Sequence, residues 1–346
     1  MLRVYTLKNK IEWDEIVTSF INYDVYYLSS YVAAFEIHGD GTPLLFYYCD
    51  DKIKGINVVM KRDIALCDHF KGKIPQNTFF DFATPYGYGG WILEGDAENS
   101  DRLFSEYEKW CSSNNIVSEF VRFHPVINNF IFSENDYEIM QLGKTVCLDI
   151  SSPEIIWANI SSKNRNVIRK AEKSGVEIFT STDIEMYENF ARIYNKTMEN
   201  DNANAYYFFG EKFYESVHSD LADNSKIFYA KKDNEIIAAS IMIFSNGKLN
   251  YHLSGSLFEY RTFAPSNLLL YKAALWGCDN GCKTFHLGGG VGSGEDSLFK
   301  FKKSFYRNDD LTQFSIGKKI FIKSKYDELV KMHSKKNSSF FPMYRA

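Results

Sequence analysis

The sequence predicts an α+β protein with two similar domains, each a mixed, mainly antiparallel sheet flanked by helices. Three observations lead to this prediction: hairpins of strand-like segments, a helix and a further strand that follow them, and the repetition of this order in both halves of the 346 residues. A chain of this length exceeds one typical hydrophobic core and suits two. The repeat is far longer than that of a solenoid, which indicates two copies of one domain fold.

The first domain begins with a predicted hairpin. Residues 44–51 and 53–61 are strand-like runs separated by a polar turn. Residues 79–91 form a strand and a glycine loop, which lead to a helix over 100–115 and a strand over 117–125.

The second half repeats this order. Residues 227–232 and 236–244 form the hairpin, and residues 248–256 extend it into a meander. A helix over 266–281 and a strand over 283–289 follow. Antiparallel strands followed by a helical crossover and another strand predict a mixed sheet with helices on both faces.

Helix-start signals predict the boundary between the domains. Ser152 is a favoured cap and Pro153 suits the first turn, so a helix begins just after residue 150. We therefore predict an N-terminal domain over residues 1–150, a C-terminal domain over 151–325 and a basic, aromatic tail over 326–346.

Composition excludes several classes of protein. Hydrophobic residues make up 45% of the chain and aromatic residues 16%, which indicates a folded protein. The net charge of -4 argues against a surface that coats DNA, although local basic patches remain compatible with it. The N-terminus lacks the apolar core of a secretory signal, and the longest apolar run, residues 236–244, is too short to span a bilayer. We expect a cytoplasmic protein.

The cysteines do not predict a disulfide framework or a metal centre. The 6 Cys are scattered in mostly apolar surroundings, which is typical of reduced thiols. Cys278, Cys282 and His286 have a C-x3-C-x3-H spacing, but a strong zinc signature has C-x2-C and a second distant pair of ligands. We predict no metal ligand and no tightly bound cofactor.

The segment from Thr284 to Phe305 is the predicted active-site wall. It joins a short strand, a glycine-rich loop and an amphipathic helix, a combination that ordinary packing does not require. Leu298, Phe301 and Phe305 recur at helical spacing, with Lys302 between them.

The chain resembles the Fem-type transferases, meaning the FemAB and FemX peptidoglycan-bridge enzymes and their GNAT-fold acyltransferase relatives in bacterial surface-glycan gene clusters. The segments that carry the resemblance are PYGYGG at Pro85, VRFHP at Val121, SSKNRNVIRKAEKSGVEI at Ser161, YHLSGS at Tyr251, APSNLLLYKAALWG at Ala264, HLGGG at His286 and LFKFKKSF at Leu298. The resemblance implies two tandem GNAT-like domains, with the acyl acceptor between the lobes and the acyl donor along the C-terminal one.

The implied activity is N-acyl transfer to an amine of a cell-envelope glycan or peptidoglycan precursor, by direct attack of that amine. The acyl group would come from acyl-CoA or from aminoacyl-tRNA. Two alternatives stay open: a peptidoglycan-bridge aminoacyltransferase specifically, and a non-catalytic scaffold in polysaccharide assembly. The basic, aromatic tail adds a third expectation, a peripheral contact with the inner face of the membrane.

Two residues are predicted to be catalytic. In Fem-type enzymes the lysine of an F-K-x-x-F segment is thought to stabilise the developing oxyanion, and Lys302 matches it. The alternative for Lys302 is an extended side chain on a surface helix. His252 lies on the polar side of a strand opposite Leu249, Tyr251 and Leu253, where it would accept the proton of the attacking amine. The alternatives are that water takes this proton and that His252 is a structural hydrogen-bond donor.

Other residues are predicted to bind substrates. Arg165 and Arg169 lie one helical turn apart and would hold a diphosphate or a tRNA backbone. Further acceptor-binding candidates are Tyr86, Arg122, His124, Tyr207 and Asn267. For acyl-CoA, the candidates are Arg261, Ser266, Gly289 and Gly290. Acyl-CoA-binding GNAT enzymes carry R/Q-x-x-G-x-G/A at this point, and here Ala264 and Ser266 replace both glycines while Pro265 has no N–H.

Overall fold

The computed structural model describes residues 1–333 and 340–346. The chain forms two compact units, Met1–Leu142 with Phe314–Ala346, called unit 1, and Gly143–Gln313, called unit 2.

The strands are β1 (Leu2–Tyr5), β2 (Thr42–Cys49), β3 (Ile53–Asp63), β4 (Phe80–Ala83), β5 (Ile92–Gly95), β6 (Ile116–Arg122), β7 (Glu138–Asp149), β8 (Glu177–Ser181), β9 (Ser225–Lys232), β10 (Glu235–Ser245), β11 (Lys248–Ser256), β12 (Thr284–Gly288) and β13 (Thr312–Ile320). The α-helices are α1 (Lys10–Thr18), α2 (Ser29–His38), α3 (Asp101–Ser113), α4 (Pro153–Asn159), α5 (Ser162–Lys173), α6 (Ile184–Asn200), α7 (Glu211–Ser219), α8 (Pro265–Asp279), α9 (Ser297–Lys303) and α10 (Lys323–Met332).

The sheet of unit 1 has the order β1-β2-β3-β4-β6-β13, and β5 also pairs with β3. Strands β4 and β6 are parallel, and the other neighbours are antiparallel. Helix α3 packs its apolar face on this sheet, and Leu103, Phe104 and Tyr107 are buried there. The hairpin, helix and strand predicted for the first half are all present.

The sheet of unit 2 has the order β7-β12-β11-β10-β9-β8, in which residues 146–149 of β7 take part. Strands β11 and β12 are parallel, and every other pair is antiparallel. Asp233 and Asn234 both adopt positive φ between β9 and β10, as a tight hairpin turn requires. The mixed, mainly antiparallel sheet predicted for this half is therefore present.

Helices cover both faces of the sheet in unit 2. The apolar residues of α8, among them Leu268, Leu269 and Ala273, pack in one core with Met242 of β10. On the other face, a Cβ on Gly255 would lie 2.8 Å from Tyr194 Cα, so β11 passes directly against the backbone of α6. This close approach is what requires glycine at position 255.

The predicted ends of the domains need correction. Residues 314–346 belong to unit 1, whereas the sequence assigned residues up to 325 to the C-terminal domain and 326–346 to a separate tail. The physical reason is pairing and burial: β13 pairs with β6, and Tyr344 is fully buried against Val117 and Tyr326. Residues 334–339 of the predicted tail lie outside the described residues.

The burial of this segment bears on the expected membrane contact. Tyr344 is 0% exposed, and the ring of Phe341 stacks on that of Tyr326. These aromatic side chains of the C-terminal segment therefore pack in unit 1. Over residues 1–333 and 340–346, no helix combines the length and the apolar character that crossing a membrane needs. All six cysteines are free thiols, and Cys111 and Cys282 are buried whereas Cys49 is exposed.

Candidate functional site

The parallel strands β11 and β12 of unit 2 pair only at their beginnings. Their register runs from Lys248 with Thr284 to Asn250 with His286, and β11 then continues to Ser256 without a β12 partner in the described sheet. Past the last pair, this edge of β11 presents backbone N–H and C=O groups that β12 does not engage. We take this edge, called the β11 edge, as the starting point of the candidate site.

A β-bulge lies on β11 at this edge. Leu253 pairs with Ile241 and Tyr251 pairs with Met242, which leaves His252 as the extra residue. Because a bulge shifts the alternation of side chains, Tyr251 and Leu253 do not share a face. Leu249 and Tyr251 pack together in the α8 core as predicted, whereas the prediction that Leu253 shares their face is wrong.

Lys302 is the buried cation of the site. Its side chain on α9 is only 9% exposed, its Nζ donates to Gly289 O at 2.7 Å, and it lies 5.9 Å from the centre of the Tyr251 ring. Burial lowers the pKa of Lys302 to about 8, although Asp296 partly offsets this shift. These contacts contradict the alternative of a solvent-exposed lysine.

The buried face of α9 differs from the predicted one at a single position. Phe301 and Phe305 pack in the core of unit 2 as predicted, although Phe305 lies just beyond the end of the helix. Leu298 is 38% exposed, and Phe299 is buried in its place. A helix of 7 residues presents too few positions for its periodicity to show which side faces the core.

The glycine loop holds α9 in place. Asp296 caps the helix by accepting from Phe299 N at 2.8 Å and from Val291 N at 2.9 Å. A Cβ on Gly290 would lie 2.4 Å from Asp296 Oδ1 and 2.4 Å from Gly294 O. The predicted cofactor-binding residues Gly289 and Gly290 therefore position Lys302, the first by accepting its hydrogen bond and the second by leaving room for the cap.

We expect Gly290→Ala to lower kcat about tenfold to a hundredfold, since a misplacement near 1 Å can cost that much. The cause would be displacement of Asp296, and with it Lys302. Gly294→Ala is the matched control, because its Cβ would meet nothing nearer than Val291 O at 3.7 Å. Equal kcat values for the two variants, measured with the same acyl donor, would contradict this account of the loop.

His252 is a poor candidate for the general base. Burial lowers the pKa of His252 to about 3. An efficient general base has a pKa near the working pH, so His252 is too weak a base at neutral pH. The structure gives this residue a place beside Tyr251 at the bulge, but its low pKa does not support the predicted proton transfer.

A hydroxyl cluster beside Lys302 was missed by sequence reasoning. Ser240 Oγ donates to Ser254 Oγ at 2.8 Å, and both hydroxyls interact with Tyr251 OH. Burial raises the pKa of Tyr251, and the two serine hydroxyls partly oppose the shift. Ser240 within the apolar run of β10 is the signal that points to it, because a hydroxyl buried in a strand needs a polar partner.

Helix α5 lies next to both α8 and the end of α9. Ser161, the N-cap of α5, donates its N–H to Ser304 O at 3.0 Å, two residues after Lys302. Asn267 Nδ2 in the first turn of α8 donates to Asn164 Oδ1 at 2.8 Å. The predicted ligand Asn267 is thus engaged in joining two helices.

The predicted cations of α5 share one aromatic neighbour. The guanidinium carbons of Arg165 and Arg169 lie 5.9 Å and 5.0 Å from the centre of the Trp157 ring. Arg165 is half-buried and Arg169 is exposed. Asn164 Nδ2, a buried donor beside them, has no hydrogen-bond acceptor within residues 1–333 and 340–346. Sequence reasoning did not single out Asn164, since asparagine in a basic helix is an unremarkable residue.

Just before α8, at the first glycine position of the R/Q-x-x-G-x-G/A motif, Ala264 adopts the left-handed backbone conformation that usually favours glycine. Ala264 has φ of 50° and ψ of 48°, and Pro265 follows as the first helical residue. Ser266 therefore supplies the first backbone N–H of the helix, while the N–H of Asn267 turns back to Ala264 O at 3.2 Å. The guanidinium carbon of Arg261 lies 3.8 Å from the centre of the Phe258 ring.

Ala264→Gly is expected to stabilise the protein by about 0.5–1 kcal/mol, because the left-handed conformation costs alanine about 1–2 kcal/mol. Ala274→Gly, in the interior of the same helix, is the opposite control and should lose about 1 kcal/mol or more. Urea unfolding measures both. A destabilising Ala264→Gly would contradict the backbone conformation described at this position.

The remaining candidates are described within their own units. Within unit 1, the guanidinium of Arg122 lies 5.9 Å from the Tyr88 ring and its Nε donates to Gly87 O at 2.9 Å, next to Tyr86. His124 is 0% exposed and its Nε2 lies 2.8 Å from Asp24 Oδ2, so it cannot contact a substrate as predicted. Within unit 2, Tyr207 is 38% exposed on a short 3-10 helix.

Comparison with known proteins agrees with this geometry. Residues 159–303 match the family model described as Acetyltransferase (GNAT) domain. The crystal structure of FemX superposes with a TM-score of 0.68 at 14% identity, over 95% of this chain and 99% of that one. A tandem GNAT protein from the clavulanic acid biosynthesis pathway superposes with a TM-score of 0.50 at 7% identity, over 93% and 99% of the two chains. Residues 159–303 thus form a GNAT acyltransferase domain.

This result confirms the predicted resemblance to the Fem-type family and the two tandem GNAT-like domains. A further structure with the same fold is the C-terminal domain of a putative lysylphosphatidylglycerol synthetase from Agrobacterium fabrum, with a TM-score of 0.55 and 11% identity over 94% of this acyltransferase and 95% of that chain. No curated protein is significantly similar to the acyltransferase in sequence. Within its described residues, no group of His, Cys, Asp or Glu side chains is arranged to hold a metal ion.

Proposed function

We propose that this N-acyltransferase moves an acyl group from acyl-CoA or aminoacyl-tRNA to an amine of a cell-envelope glycan or peptidoglycan precursor. The observation that carries the proposal is the buried ammonium of Lys302 beside the β11 edge. An ammonium has three N–H donors, and the bond to Gly289 O uses one of them. Within residues 1–333 and 340–346 this leaves two donors for a ligand.

In the proposed reaction, the neutral amine of the acceptor attacks the carbonyl carbon of the thioester or ester. The carbonyl oxygen becomes an oxyanion, and Lys302 stabilises it with a charge-assisted hydrogen bond. The attacking nitrogen then loses its proton to water, since His252 is too weak a base. Collapse of the intermediate forms the amide and expels either the thiolate of CoA or the ribose alkoxide of tRNA, which takes up a proton from water. No covalent enzyme intermediate is needed.

Two sets of contacts support a phosphate-bearing donor. Helix α5 packs beside α8, where Asn164 accepts from Asn267 and Ser266 presents its N–H at the helix start. The guanidinium groups of Arg165 and Arg169 lie over Trp157, whose ring contacts Tyr271 of α8. The GNAT domain match favours acyl-CoA as the donor. Pro265 at the first helical position removes one N–H that would hold a pyrophosphate, and this favours the second candidate donor, aminoacyl-tRNA.

The test is a transfer assay with both donors and a panel of UDP-amino sugars and peptidoglycan precursors. Release of free thiol reports use of acyl-CoA, and loss of label from charged tRNA reports use of aminoacyl-tRNA. A tRNA interaction should weaken steeply with salt, because phosphate contacts release counterions. Transfer from either donor supports the proposal and identifies the donor.

The alternative is a scaffold without catalytic activity, for which the replaced glycines at the start of α8 are the supporting feature. Calorimetric titration separates the two functions. A scaffold would bind neither acyl-CoA nor charged tRNA nor any amino-sugar acceptor, and that result would overturn the proposed function.

A further inference from the structure

Three hydroxyl groups of unit 2 gather next to Lys302, and the proposed reaction does not use them. Ser240 Oγ donates to Ser254 Oγ at 2.8 Å, and both serine hydroxyls hydrogen-bond with Tyr251 OH. Ser240 is only 1% exposed and lies within an apolar stretch of β10. An apolar side chain would fill this position without needing a polar partner, so packing alone does not explain the cluster.

The β-bulge on β11 brings the three hydroxyls to one face of the sheet. Ser254 pairs with Ser240, and Tyr251 pairs with Met242. Because Ser240 and Met242 are two residues apart on β10, they share a face, and their partners share it with them. In a regular strand, residues 251 and 254 would lie on opposite faces, and the extra residue His252 removes this difference. The bulge therefore aims Tyr251 and Ser254 in the same direction.

The Tyr251 ring is a second contact of the Lys302 ammonium, besides Gly289 O. The Nζ atom of Lys302 lies over this ring, 5.9 Å from its centre, and donates to Gly289 O at 2.7 Å. An aromatic ring attracts a cation most strongly where water is excluded, and Lys302 is only 9% exposed.

Two titratable groups surround this ammonium. Asp296, the N-cap of α9, favours its charged form. Burial raises the pKa of Tyr251, so the ring stays neutral over the pH range in which Lys302 loses its proton. Tyr251 therefore acts on Lys302 through its ring and not through a charge of its own.

We propose that Tyr251 is a positioning residue for Lys302: its ring holds the ammonium in place beside Gly289 O, and the hydroxyls of Ser240 and Ser254 hold the ring. A lysine side chain has several rotatable bonds, and a fixed ring disfavours the rotamers that would leave the oxyanion without its donor. This role rests on the proposed function, in which Lys302 stabilises the oxyanion, whereas the contact between ring and ammonium can be measured without any substrate.

The test follows the side chain of Lys302 by NMR as a function of pH, in the full chain labelled with 13C at the ε-carbon of lysine. Comparison with Lys302→Arg assigns its signal. We expect a titration midpoint of about 8 in the unmodified protein. In Tyr251→Leu the midpoint should fall by about 0.5–1 pH unit, because the ring no longer stabilises the charged form. Tyr251→Phe keeps the ring and should keep the midpoint within about 0.3 pH unit.

Tyr260→Leu is the matched control. Tyr260 packs against the same core, but its hydroxyl donates to Glu235 and its ring lies beside Phe263. Its removal should leave the midpoint of Lys302 unchanged, and thermal unfolding verifies that each variant folds. An unchanged or raised midpoint in folded Tyr251→Leu, or an equal fall in Tyr260→Leu, would overturn the inference.

Ser254→Ala tests the anchoring hydroxyls with a smaller change. It should lower kcat about threefold to tenfold when Tyr251 is present, and by less than about twofold in the Tyr251→Phe background, because the hydroxyl that Ser254 holds is then absent. Equal losses in the two backgrounds would contradict the anchoring role. Absence of transfer from any donor would overturn the proposed function, whereas the NMR midpoints would still decide whether the ring holds the ammonium.

Discussion

Replacing Lys302 with alanine is expected to lower kcat about a hundredfold to a thousandfold, the loss typical when one donor to an oxyanion is removed. The side chain is 9% exposed and its Nζ is already fixed by Gly289 O at 2.7 Å. A preorganised charge of this kind stabilises the transition state more than the bound substrate, so kcat should fall while the affinity for the acyl donor stays within about twofold.

The matched control is Lys300→Ala, because Lys300 is exposed on the same helix. It should retain kcat within about twofold. Circular dichroism and thermal unfolding verify that both variants fold. If Lys302→Ala is folded and turns over like Lys300→Ala, Lys302 takes no part in the chemistry. If instead only the affinity for the donor falls, its role is binding.

Replacing Tyr344 with alanine is expected to destabilise the protein by about 3–5 kcal/mol, a large share of the 5–15 kcal/mol that typical domains possess. Tyr344 is 0% exposed, and its hydroxyl contacts Ser118 Oγ at 2.8 Å and donates to Asp81 Oδ2 at 3.0 Å. Its removal would leave a cavity in the core of unit 1 and take one hydrogen bond from a buried carboxylate. Urea unfolding monitored by circular dichroism measures the loss.

Two further variants separate the contribution of the Tyr344 hydroxyl from that of its ring, and the contribution of Tyr344 from that of its segment. Tyr344→Phe keeps the ring and should cost about 1–2 kcal/mol, since Asp81 retains Arg62 at 2.8 Å and Arg345 at 2.5 Å. Phe340→Ala is the control within the same segment, because Phe340 is 54% exposed, and it should change stability by less than about 0.5 kcal/mol. A loss below about 1 kcal/mol for Tyr344→Ala would show that this segment is a detachable tail, as the sequence first indicated.

Much of the fold was predictable because its signals are local. Alternating apolar residues bounded by Asp-Asn and Asn-Gly turns predict the strands of unit 2, and Ser152 with Pro153 predicts the start of α4. The assignment of residues 314–346 was not predictable in this way. The antiparallel pairing of β13 with β6 joins segments nearly two hundred residues apart, and no local pattern encodes such a partner.

The candidate site shows the same division. The motif that contains Lys302 identified the cation, but its pKa of about 8 and its bond to Gly289 depend on burial and on loop geometry. His252 has the residue type and the strand position of a general base, yet burial lowers its pKa to about 3. His124 likewise turned out to be a buried partner of Asp24. Residue type alone does not distinguish a catalytic histidine from a structural one.

The dependence of kcat on pH, compared between the unmodified protein and Lys302→Arg, tests the central claim most directly. Since burial lowers the pKa of Lys302 to about 8, the ammonium is present below this pH and is lost above it. The account predicts that kcat of the unmodified protein falls as pH rises through about 8, and that Lys302→Arg, whatever its absolute rate, lacks this alkaline fall because a guanidinium stays charged. An identical alkaline fall in both proteins, or none in the unmodified protein, would contradict it.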